Sequence, residues 1–400
     1  MAFQAMRSEK LLLFILAAIQ FTNIVDFMIM MPLGPQLMRL FDISPRQFSL
    51  LVSAYTFSAG IFGFLAAFQI DKFDRKTALL FVYSGFLLGT FACALAPGYE
   101  WLIAARVFTG AFGGVLGALV LSVVGDTIPI ERRATAMGLV TAAFSVASVF
   151  GVPFSLFIAS VWSWHAPFLF LATSGLLILF GIWKWVPKMN KHVQIKTNRI
   201  TPFALIASVA KEANLRLALL LMMTIMLGNF IVTPFISPYM VANVGFTEKE
   251  LTYIYLFGGL LTIFTSPWIG KLSDRFGPKK VYIIFVFINL IPLLLITNLP
   301  ITPIPIVLLI TTSFFIVSGG RMITSQTMIA GAVDPSKRGA FMSFNSSVQQ
   351  LSTAFASLLA GLIVTKNDAG QLQNYQYVGI IAAVLSLISI LIVKRVKSVS

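Results

Sequence analysis

The sequence predicts an all-α membrane protein in which twelve transmembrane helices form two pseudo-symmetric six-helix bundles. Three observations lead to this fold class. Of the 400 residues, 58% are hydrophobic and only 11% are charged, which is more apolar surface than a water-soluble chain of this length can bury. Apolar stretches of about 20 residues, enough to cross the hydrocarbon core, recur along the whole chain. A short charged turn occurs twice, 203 residues apart.

Each apolar stretch is expected to be a helix, because lipid offers no partner for an unpaired backbone group. A β-barrel would need short segments of alternating hydrophobicity, which do not fit this pattern. Arg7 and Lys10 precede the first stretch as in a secretory signal, but the stretch is too long and no small-residue cleavage site follows, so we expect it to be retained. The predicted spans are 11–33, 48–70, 77–97, 101–125, 135–160, 166–187, 216–240, 250–272, 280–299, 303–330, 339–364 and 375–394.

The net charge of +15 is explained by topology. With the N-terminus inside, 23 of the 29 Lys and Arg residues lie on the cytoplasmic side. Since this bias sets the orientation of membrane proteins, it predicts that both termini are cytoplasmic, and it removes the reason to infer nucleic-acid binding from the charge. The four on the outer side are Arg39, Arg46, Lys249 and Lys366, and the two within spans are Arg106 and Arg321.

The repeated turn indicates two related halves. Its copies are residues 71–76 (Asp-Lys-Phe-Asp-Arg-Lys) and 274–280 (Asp-Arg-Phe-Gly-Pro-Lys-Lys). The same offset places Ser44 opposite Thr247 and Asp26 opposite Asn229 without a gap. A repeat of this length is not a solenoid period. In membrane chains, paired halves are the usual build of a transporter, with the substrate site between them.

The longest polar segment, residues 188–215, separates the two halves. Its basic residues and its flanking prolines, Pro187 and Pro202, are typical of a cytoplasmic linker. The predicted organisation is therefore an N-terminal bundle over 1–187, a basic linker over 188–215 and a C-terminal bundle over 216–400. Within the linker, residues 203–209 are expected to form a short amphipathic helix on the inner leaflet.

The charged turn is similar to the signature of a known family, Gly-x3-Asp-Arg-x-Gly-Arg-Lys. Residues 270–280 follow the signature closely, whereas the first copy has Ala67, Lys72 and Asp74 at three signature positions. On this motif, and over essentially the whole chain, the sequence resembles the major facilitator superfamily. Within it, the chain looks most like the twelve-helix drug:proton antiporters and sugar-efflux-like permeases of bacteria.

The resemblance implies a gating role for the two turns. In the family, the turn forms a charge cluster with neighbouring helix ends and latches the outward-open state through interface ion pairs. The alternative is that these are solvated loop charges, each of little energetic value. The residues concerned are Asp71, Arg75, Lys76, Asp126 and Arg133 in the first half, and Asp274, Arg275, Asp334 and Arg338 in the second.

Two further stretches look like family motifs. Arg106, Gly110 and Gly114 in span four match the intramembrane Arg-x3-Gly motif. In span five, Gly138, Gly151 and Pro153 resemble the motif associated with antiporters, although Val152 separates its usual Gly-Pro pair and the trailing Gly pair is absent. This resemblance implies exchange of substrate for protons.

Asp26 is the candidate proton site. Of the fourteen acidic residues, only Asp26 lies well inside a span. A charged carboxylate there costs several kcal/mol, so it persists only if it is protonated, paired or functional. Span one rises from the cytoplasm and span four descends from outside, which places Asp26 and Arg106 as neighbours in the outer half of the membrane. The alternative role is a static ion pair that fixes helix packing.

Arg321 is the other intramembrane charge, with no acidic residue in its half of the membrane. It is predicted either to contact an anionic or carbonyl-bearing substrate or to bond helix carbonyls. Gln20, Asn23 and Asn229 are further candidate cavity residues. Asn345 and Gln349, one turn apart, are expected to bond helices together.

These observations predict a monomeric secondary transporter of the bacterial inner membrane that works by alternating access. It would export a small organic solute (a drug, sugar or metabolite) in exchange for protons, with membrane lipids as its other partners and with no cofactor, metal or nucleic acid. The alternatives are proton-coupled uptake of a sugar or organic acid, a transporter-like sensor, and a lipid mover. An enzyme is not expected, because the two histidines, His165 and His192, have no carboxylate or nucleophile constellation beside them.

Overall fold

The computed structural model describes residues 2–67, 69–190, 202–334 and 338–399, and almost all of them are helical. This confirms the predicted all-α membrane fold. The helices are α1 (Ala2–Ile29), α2 (Gly34–Leu40), α3 (Pro45–Ala67), α4 (Arg75–Ala94), α5 (Tyr99–Thr127), α6 (Ile130–Thr141), α7 (Ala143–Val146), α8 (Val152–Val161), α9 (His165–Trp185), α10 (Pro202–Lys211), α11 (Ala213–Phe230), α12 (Thr233–Tyr239), α13 (Leu251–Phe276), α14 (Pro278–Ile296), α15 (Ile304–Gly331), α16 (Arg338–Ile363) and α17 (Tyr375–Arg395).

Within the described residues, eleven helices are long and apolar enough to cross a membrane. The remaining predicted span, 339–364, is also helical and corresponds to α16. Its sequence is more polar than that of the other spans, because it carries side chains such as Asn345, Gln349 and Gln350. The linker beyond Asn190 lies outside the described residues up to position 201, and the helix predicted over 203–209 is present as α10.

Prolines near the ends of spans one and seven coincide with breaks in the helices. After α1 ends, the chain carries Pro32 and resumes a helix at Gly34. After α11 ends, a helix resumes at Thr233 with Pro234 as its second residue. Proline has no N–H to continue the hydrogen-bond ladder, which explains an interruption near the end of the corresponding span in each half.

Two short π-helical segments also interrupt the α-helices. Residues Ala147–Gly151 join α7 to α8 within predicted span five. Residues Met240–Val244 follow α12. The next residue, Gly245, ends the segment and has a φ of +94°, the left-handed conformation that favours glycine. π segments of a single turn are often found at functional sites.

The helices α3 and α13 begin with the same hydrogen bonds, at positions 203 residues apart, as the sequence repeat requires. Before α3, the backbone N–H of Ser44 donates to Gln47 Oε1 at 2.9 Å, and the N–H of Gln47 donates to Ser44 Oγ at 3.3 Å. Before α13, Thr247 and Glu250 form the same reciprocal pair at 2.7 and 3.3 Å. Both are capping boxes, and their members are related by the offset read from the sequence.

The chain divides into two compact units, one of Met1–Ile29 and Ala54–Arg199, the other of Met30–Ser53 and Ile200–Ser400. The second unit includes Met30–Ser53 because this segment contacts the later helices. Arg39 forms an ion pair with Glu248 at 2.6 Å, and Phe48 packs edge-on against Phe235. The six-helix halves proposed from the sequence, 1–187 and 216–400, stay a prediction.

Each unit has its own apolar core. In the first, the buried side chains come from α1, α4, α5, α6 and α9, for example Leu16, Phe86, Leu119, Val140 and Ile182. In the second, α11, α14, α15, α16 and α17 contribute, for example, Met222, Val286, Ile329, Phe341 and Val393. These cores hold the helices that carry the polar residues described below.

A small hairpin was not predicted. Strands β1 (Thr365–Lys366) and β2 (Leu372–Gln373) pair antiparallel between α16 and α17. The Asn243 side chain holds the second strand, because its Nδ2 donates to the Leu372 carbonyl and its Oδ1 accepts from the Leu372 N–H, both at 2.9 Å.

Candidate functional site

Asp26 and Arg106 lie together in the first unit as a buried ion pair. Arg106 Nη1 donates to Asp26 Oδ2 at 2.7 Å, and both side chains are 0% exposed. The same nitrogen donates to the Asp26 backbone carbonyl at 3.3 Å. Thr90 Oγ1 on α4 donates to the other carboxylate oxygen, Oδ1, at 3.1 Å. The carboxylate therefore links α1 to both α4 and α5.

Tyr55 on α3 supports this pair, a contact that was not predicted from the sequence. The Arg106 guanidinium lies 4.4 Å from the centroid of the Tyr55 ring, within range of a cation–π interaction. The Tyr55 hydroxyl donates to Asn23 Oδ1 at 2.8 Å, and Asn23 Nδ2 donates to the Gly113 carbonyl at 3.3 Å. Asn23, predicted as a cavity residue, thus bonds α1 to α3 and α5.

The Arg-x3-Gly run brings the backbones of α3 and α5 into contact. A Cβ added to Gly110 would lie 2.3 Å from the Tyr55 carbonyl oxygen, and one added to Gly114 would lie 2.2 Å from the Ala59 carbonyl oxygen. Only glycine permits such a close approach, a pattern typical of helix contacts in membranes. The glycines place α5 so that Arg106 lies over Tyr55.

The antiporter-like segment contacts α1 beside Asp26. A Cβ on Gly151 would lie 2.3 Å from Val25 Cγ2, so the π-helical segment packs closely against the residue that precedes Asp26. Pro153 is buried near the start of α8. Gly138 has no heavy atom within 4 Å of an added Cβ, so it does not take part in this contact.

The first charged turn is bound to the ends of other helices in its unit. Arg75, which is 5% exposed, forms an ion pair from Nε to Asp126 Oδ2 at 2.8 Å, and Lys76 Nζ donates to the Trp183 carbonyl at 2.7 Å. Arg133, predicted to join the cluster, donates instead to the Ile128 carbonyl at 3.3 Å. The side chain of Asp71 lies outside the described residues.

Asp74, which occupies a glycine position of the family signature, caps α4 and binds the segment after α9. Its Oδ1 accepts from the Thr77 N–H at 3.0 Å, and its Oδ2 accepts from the Met189 N–H at 2.6 Å. The Arg75 N–H in turn donates to the Met189 carbonyl at 3.1 Å. Partial burial raises the pKa of Asp74, but these hydrogen bonds outweigh it and hold the pKa of this carboxyl below its usual value.

The second turn is not bound in this way. Gly277 replaces the capping aspartate and has a φ of +85°, and the Arg275 guanidinium lies 5.2 Å from the ring of its neighbour Phe276. Among the described residues, no ion pair joins Asp274, Arg275 or Asp334 to another charge. The side chain of Arg338, their predicted partner, lies outside the described residues.

Arg321 is buried in the second unit, with 1% of its surface exposed. Its guanidinium lies 6.0 Å from the centroid of the Tyr282 ring, and the Tyr282 hydroxyl donates to Ser389 Oγ at 2.7 Å. In the described part of the chain, Arg321 Nε and Nη2 have no hydrogen-bond partner.

The other predicted cavity residues differ in their contacts. Gln20 Oε1 in the first unit and Asn229 Oδ1 in the second are buried and have no hydrogen-bond partner among the described residues. Gln349 Nε2 on α16 contacts Met222 Sδ on α11 at 3.3 Å, which agrees with its predicted role in joining helices. The Asn345 amide oxygen is buried and has no partner in the described residues.

The fold and these buried charges define a class. A chain of apolar helices that holds ionisable side chains inside its spans is typical of secondary transporters and related transport proteins. The family model described as Major Facilitator Superfamily matches residues 16–224 and 218–399. The chain therefore belongs to the major facilitator superfamily.

Individual relatives agree with this assignment. The chain is 27% identical over 391 residues to the uncharacterized MFS-type transporter YceJ of Bacillus subtilis (strain 168), covering 96% of this chain and 95% of that protein. It is 25% identical over 346 residues to the putative transporter AraJ of Escherichia coli (strain K12), covering 84% and 82%. A crystal structure of the nucleoside transporter NupG has the same fold, with a TM-score of 0.75, 14% identity, and coverage of 97% of this chain and 99% of that one. The chain is thus a multi-pass membrane protein and a secondary transporter that carries a small-molecule substrate.

Proposed function

We propose that this protein exports a small organic solute across the bacterial inner membrane in exchange for protons, as a monomer with both termini in the cytoplasm. The observation that carries the proposal is the Asp26–Arg106 ion pair, with its 2.7 Å contact and complete burial. Among the described carboxylates, Asp26 alone is buried. An intramembrane carboxylate of this kind is by default a candidate functional site, and proton relay is one of the roles such carboxylates have in transporters.

Protonation of Asp26 provides a physical means of coupling. When Asp26 takes up a proton, Arg106 becomes a buried cation without a counter-charge, and loss of one partner of a buried pair costs about 3–5 kcal/mol. Reversing a two-state equilibrium from 1:99 to 99:1 requires about 5.5 kcal/mol. The two energies are comparable, so one protonation event is sufficient to favour a conformation in which Arg106 has other partners.

Solute binding is assigned, in each unit separately, to buried polar atoms that have no partner in the described residues. In the first unit the atom is Gln20 Oε1, and in the second unit the atoms are Asn229 Oδ1 and Arg321 Nε and Nη2. In this proposal, Arg321 contacts the solute, and the charged turns control opening on the cytoplasmic side. The Arg75–Asp126 ion pair supports the role of the turns in opening, because it joins the first charged turn to the end of α5 through a buried arginine.

The test begins with susceptibility of an overproducing strain to a panel of antibacterial dyes, sugars and organic acids. The solutes that it exports are then loaded into proteoliposomes containing the purified protein and a pH-sensitive dye. We expect a solute gradient to move protons in the opposite direction. Asp26→Asn should abolish this coupling, whereas the matched change Asp368→Asn, in the loop of the exposed hairpin, should preserve it.

Coupling that survives in Asp26→Asn would remove Asp26 from the mechanism. Protons and solute that move in the same direction would replace export by uptake. The Asp26→Asn protein must elute as a monodisperse peak from size-exclusion chromatography, so that loss of coupling is not confused with loss of folding.

A further inference from the structure

The second unit holds a cation for which the described residues provide no counter-charge. Arg321 is 1% exposed, and no carboxylate of the described chain forms an ion pair with it. The buried arginine of the first unit, Arg106, is balanced by Asp26. An unpaired charge inside a membrane protein is costly, so its retention calls for a compensating function.

The helix itself does not neutralise Arg321. The sequence left open that this side chain bonds backbone carbonyls, but neither Nε nor Nη2 does so in the described residues. The carbonyls of Gly320, Arg321 and Met322 accept from hydroxyl groups instead. Thr324 Oγ1 donates to the Gly320 and Arg321 carbonyls at 2.9 and 3.1 Å, and Ser325 Oγ donates to the Met322 carbonyl at 2.8 Å. The guanidinium nitrogens Nε and Nη2 remain without a partner in the described residues.

These two nitrogens are the pair whose N–H bonds point in parallel along one edge of the guanidinium. That edge matches the spacing of two oxygens of a carboxylate, phosphate or sulfonate, which accept from it as a bidentate pair. The group is also held in place. It lies 6.0 Å from the Tyr282 ring, and Tyr282 is fixed because its hydroxyl donates to Ser389 Oγ, which donates to the Ser386 carbonyl at 2.5 Å.

We propose that Arg321 binds an oxyanion, and that the transported solute is an organic anion with an otherwise apolar body. Tyr282 belongs to the apolar core of the second unit, together with buried Met222, Val286 and Met328, and side chains of this kind suit the apolar body of a solute. This proposal rests on the proposed transport function and names its substrate class. Since Arg321 is almost fully buried, the anion reaches it when the helices part during the transport cycle.

The test measures equilibrium binding to the purified full chain in dodecyl maltoside, with no pH gradient. The probes are hexanoate and hexyl phosphate, compared with the neutral analogue hexanamide and the cation hexylamine. We expect the two anions to raise the melting temperature of the wild-type protein in a saturable way, and the neutral and cationic probes to have no such effect.

Three variants locate the binding. Arg321→Gln should weaken hexanoate binding at least tenfold, equivalent to about 1.4 kcal/mol. Arg321→Lys keeps the charge but not the parallel donors, so its affinity for hexanoate should lie between that of the wild type and that of Arg321→Gln. The matched control Lys366→Gln removes an exposed cation in β1 and should bind as the wild type does. Equal binding of hexanoate and hexanamide, or unchanged binding in Arg321→Gln, would overturn the proposal.

The ligand-free melting temperature separates a binding role from a structural one. Removing an uncompensated buried charge should leave the melting temperature of Arg321→Gln equal to or above that of the wild type. A marked fall without any anion would mean that the guanidinium stabilises the fold, and it would contradict the proposal.

A second arm distinguishes a solute from a lipid headgroup. The measurements are repeated in nanodiscs of phosphatidylcholine, with and without phosphatidylglycerol. Hexanoate binding that is the same in both supports a soluble anion, whereas Arg321-dependent stabilisation by phosphatidylglycerol that displaces hexanoate would assign the site to lipid and overturn the substrate class. Proton-coupled transport of uncharged solutes with no anion binding would refute only this inference. Anion binding without proton coupling would refute only the proposed function.

Discussion

Arg106 holds Asp26 through a single nitrogen: Nη1 donates to the carboxylate oxygen Oδ2 at 2.7 Å and to the backbone carbonyl at 3.3 Å. Its Nε and Nη2 make no hydrogen bond within the described chain. The contact with the carboxylate is therefore monodentate, and it lacks the second hydrogen bond of a bidentate arginine–carboxylate pair. Fewer hydrogen bonds between Arg106 and Asp26 must therefore break when the carboxylate is protonated than would break in a bidentate pair.

The first prediction is that the two charges depend on each other energetically. Arg106→Gln leaves Asp26 without its cation, and Asp26→Asn leaves Arg106 without its anion, so each change should cost about 3–5 kcal/mol. The double variant has no buried charge at this site and should lose less stability than the sum of the single variants. Melting temperatures of all four proteins in detergent, followed by tryptophan fluorescence, give the coupling. Additive losses would show that the pair contributes no interaction energy.

The second prediction concerns the glycine over Tyr55. A Cβ on Gly113 would lie 2.2 Å from the Tyr55 hydroxyl and 2.9 Å from Asn23 Oδ1. Gly113→Ala should therefore displace Tyr55 from Arg106 and lower both transport and melting temperature. Gly117→Ala is the matched control on the same helix, because its nearest atom, Gln20 Nε2, would be 3.9 Å away. It should be tolerated, and a larger effect at Gly117 than at Gly113 would contradict the packing described here.

Much of the fold follows from the sequence because lipid restricts what an apolar stretch can form. The proline breaks and the capping boxes were also accessible to sequence reasoning, since Ser44 and Thr247 stand at equivalent places in the repeat. The hairpin was missed for a physical reason. Its two-residue strands depend on the side chain of Asn243, which lies 129 positions from Leu372, and no local pattern reports such a contact.

The site was only partly predictable for a similar reason. Charges inside spans are rare, so Asp26, Arg106 and Arg321 are visible in the sequence. Tyr and Thr are common in membrane helices, and only the folded chain shows that Tyr55 and Thr90 touch the ion pair. The expected pairing of the second charged turn was based on its likeness to the first, although Gly277 stands where Asp74 makes the contacts.

The third prediction compares the two turns. Arg75 and Asp126 form a 2.8 Å ion pair, whereas no ion pair of Arg275 is present in the described residues. If the turns control opening, Arg75→Gln and Asp126→Asn should each reduce the transport rate several-fold, and the double variant should be no slower than the slower single one. Arg275→Gln should have a smaller effect. Rates are measured in proteoliposomes at equal protein content, and equal losses in Arg75→Gln and Arg275→Gln would argue against a role of the ion pair itself.

The last prediction is a pH dependence that comes from Asp74. The N–H groups of Thr77 and Met189 hold the pKa of this carboxyl below its usual value of 3.8. The sign follows from linkage: a carboxyl whose pKa is lower in the folded state stabilises the fold above its unfolded pKa, and this contribution disappears as the pH falls through the folded pKa. Asp74→Asn keeps a side-chain oxygen for the cap but removes the charge. The wild type should therefore melt slightly higher than Asp74→Asn near neutral pH, since a negative charge at a helix N-terminus is worth about 0.3–1 kcal/mol. The difference should shrink below about pH 4. Melting curves of both proteins from pH 3 to pH 7 test this, and a difference that stays constant or grows on acidification would show that the charge of Asp74 does not stabilise the turn.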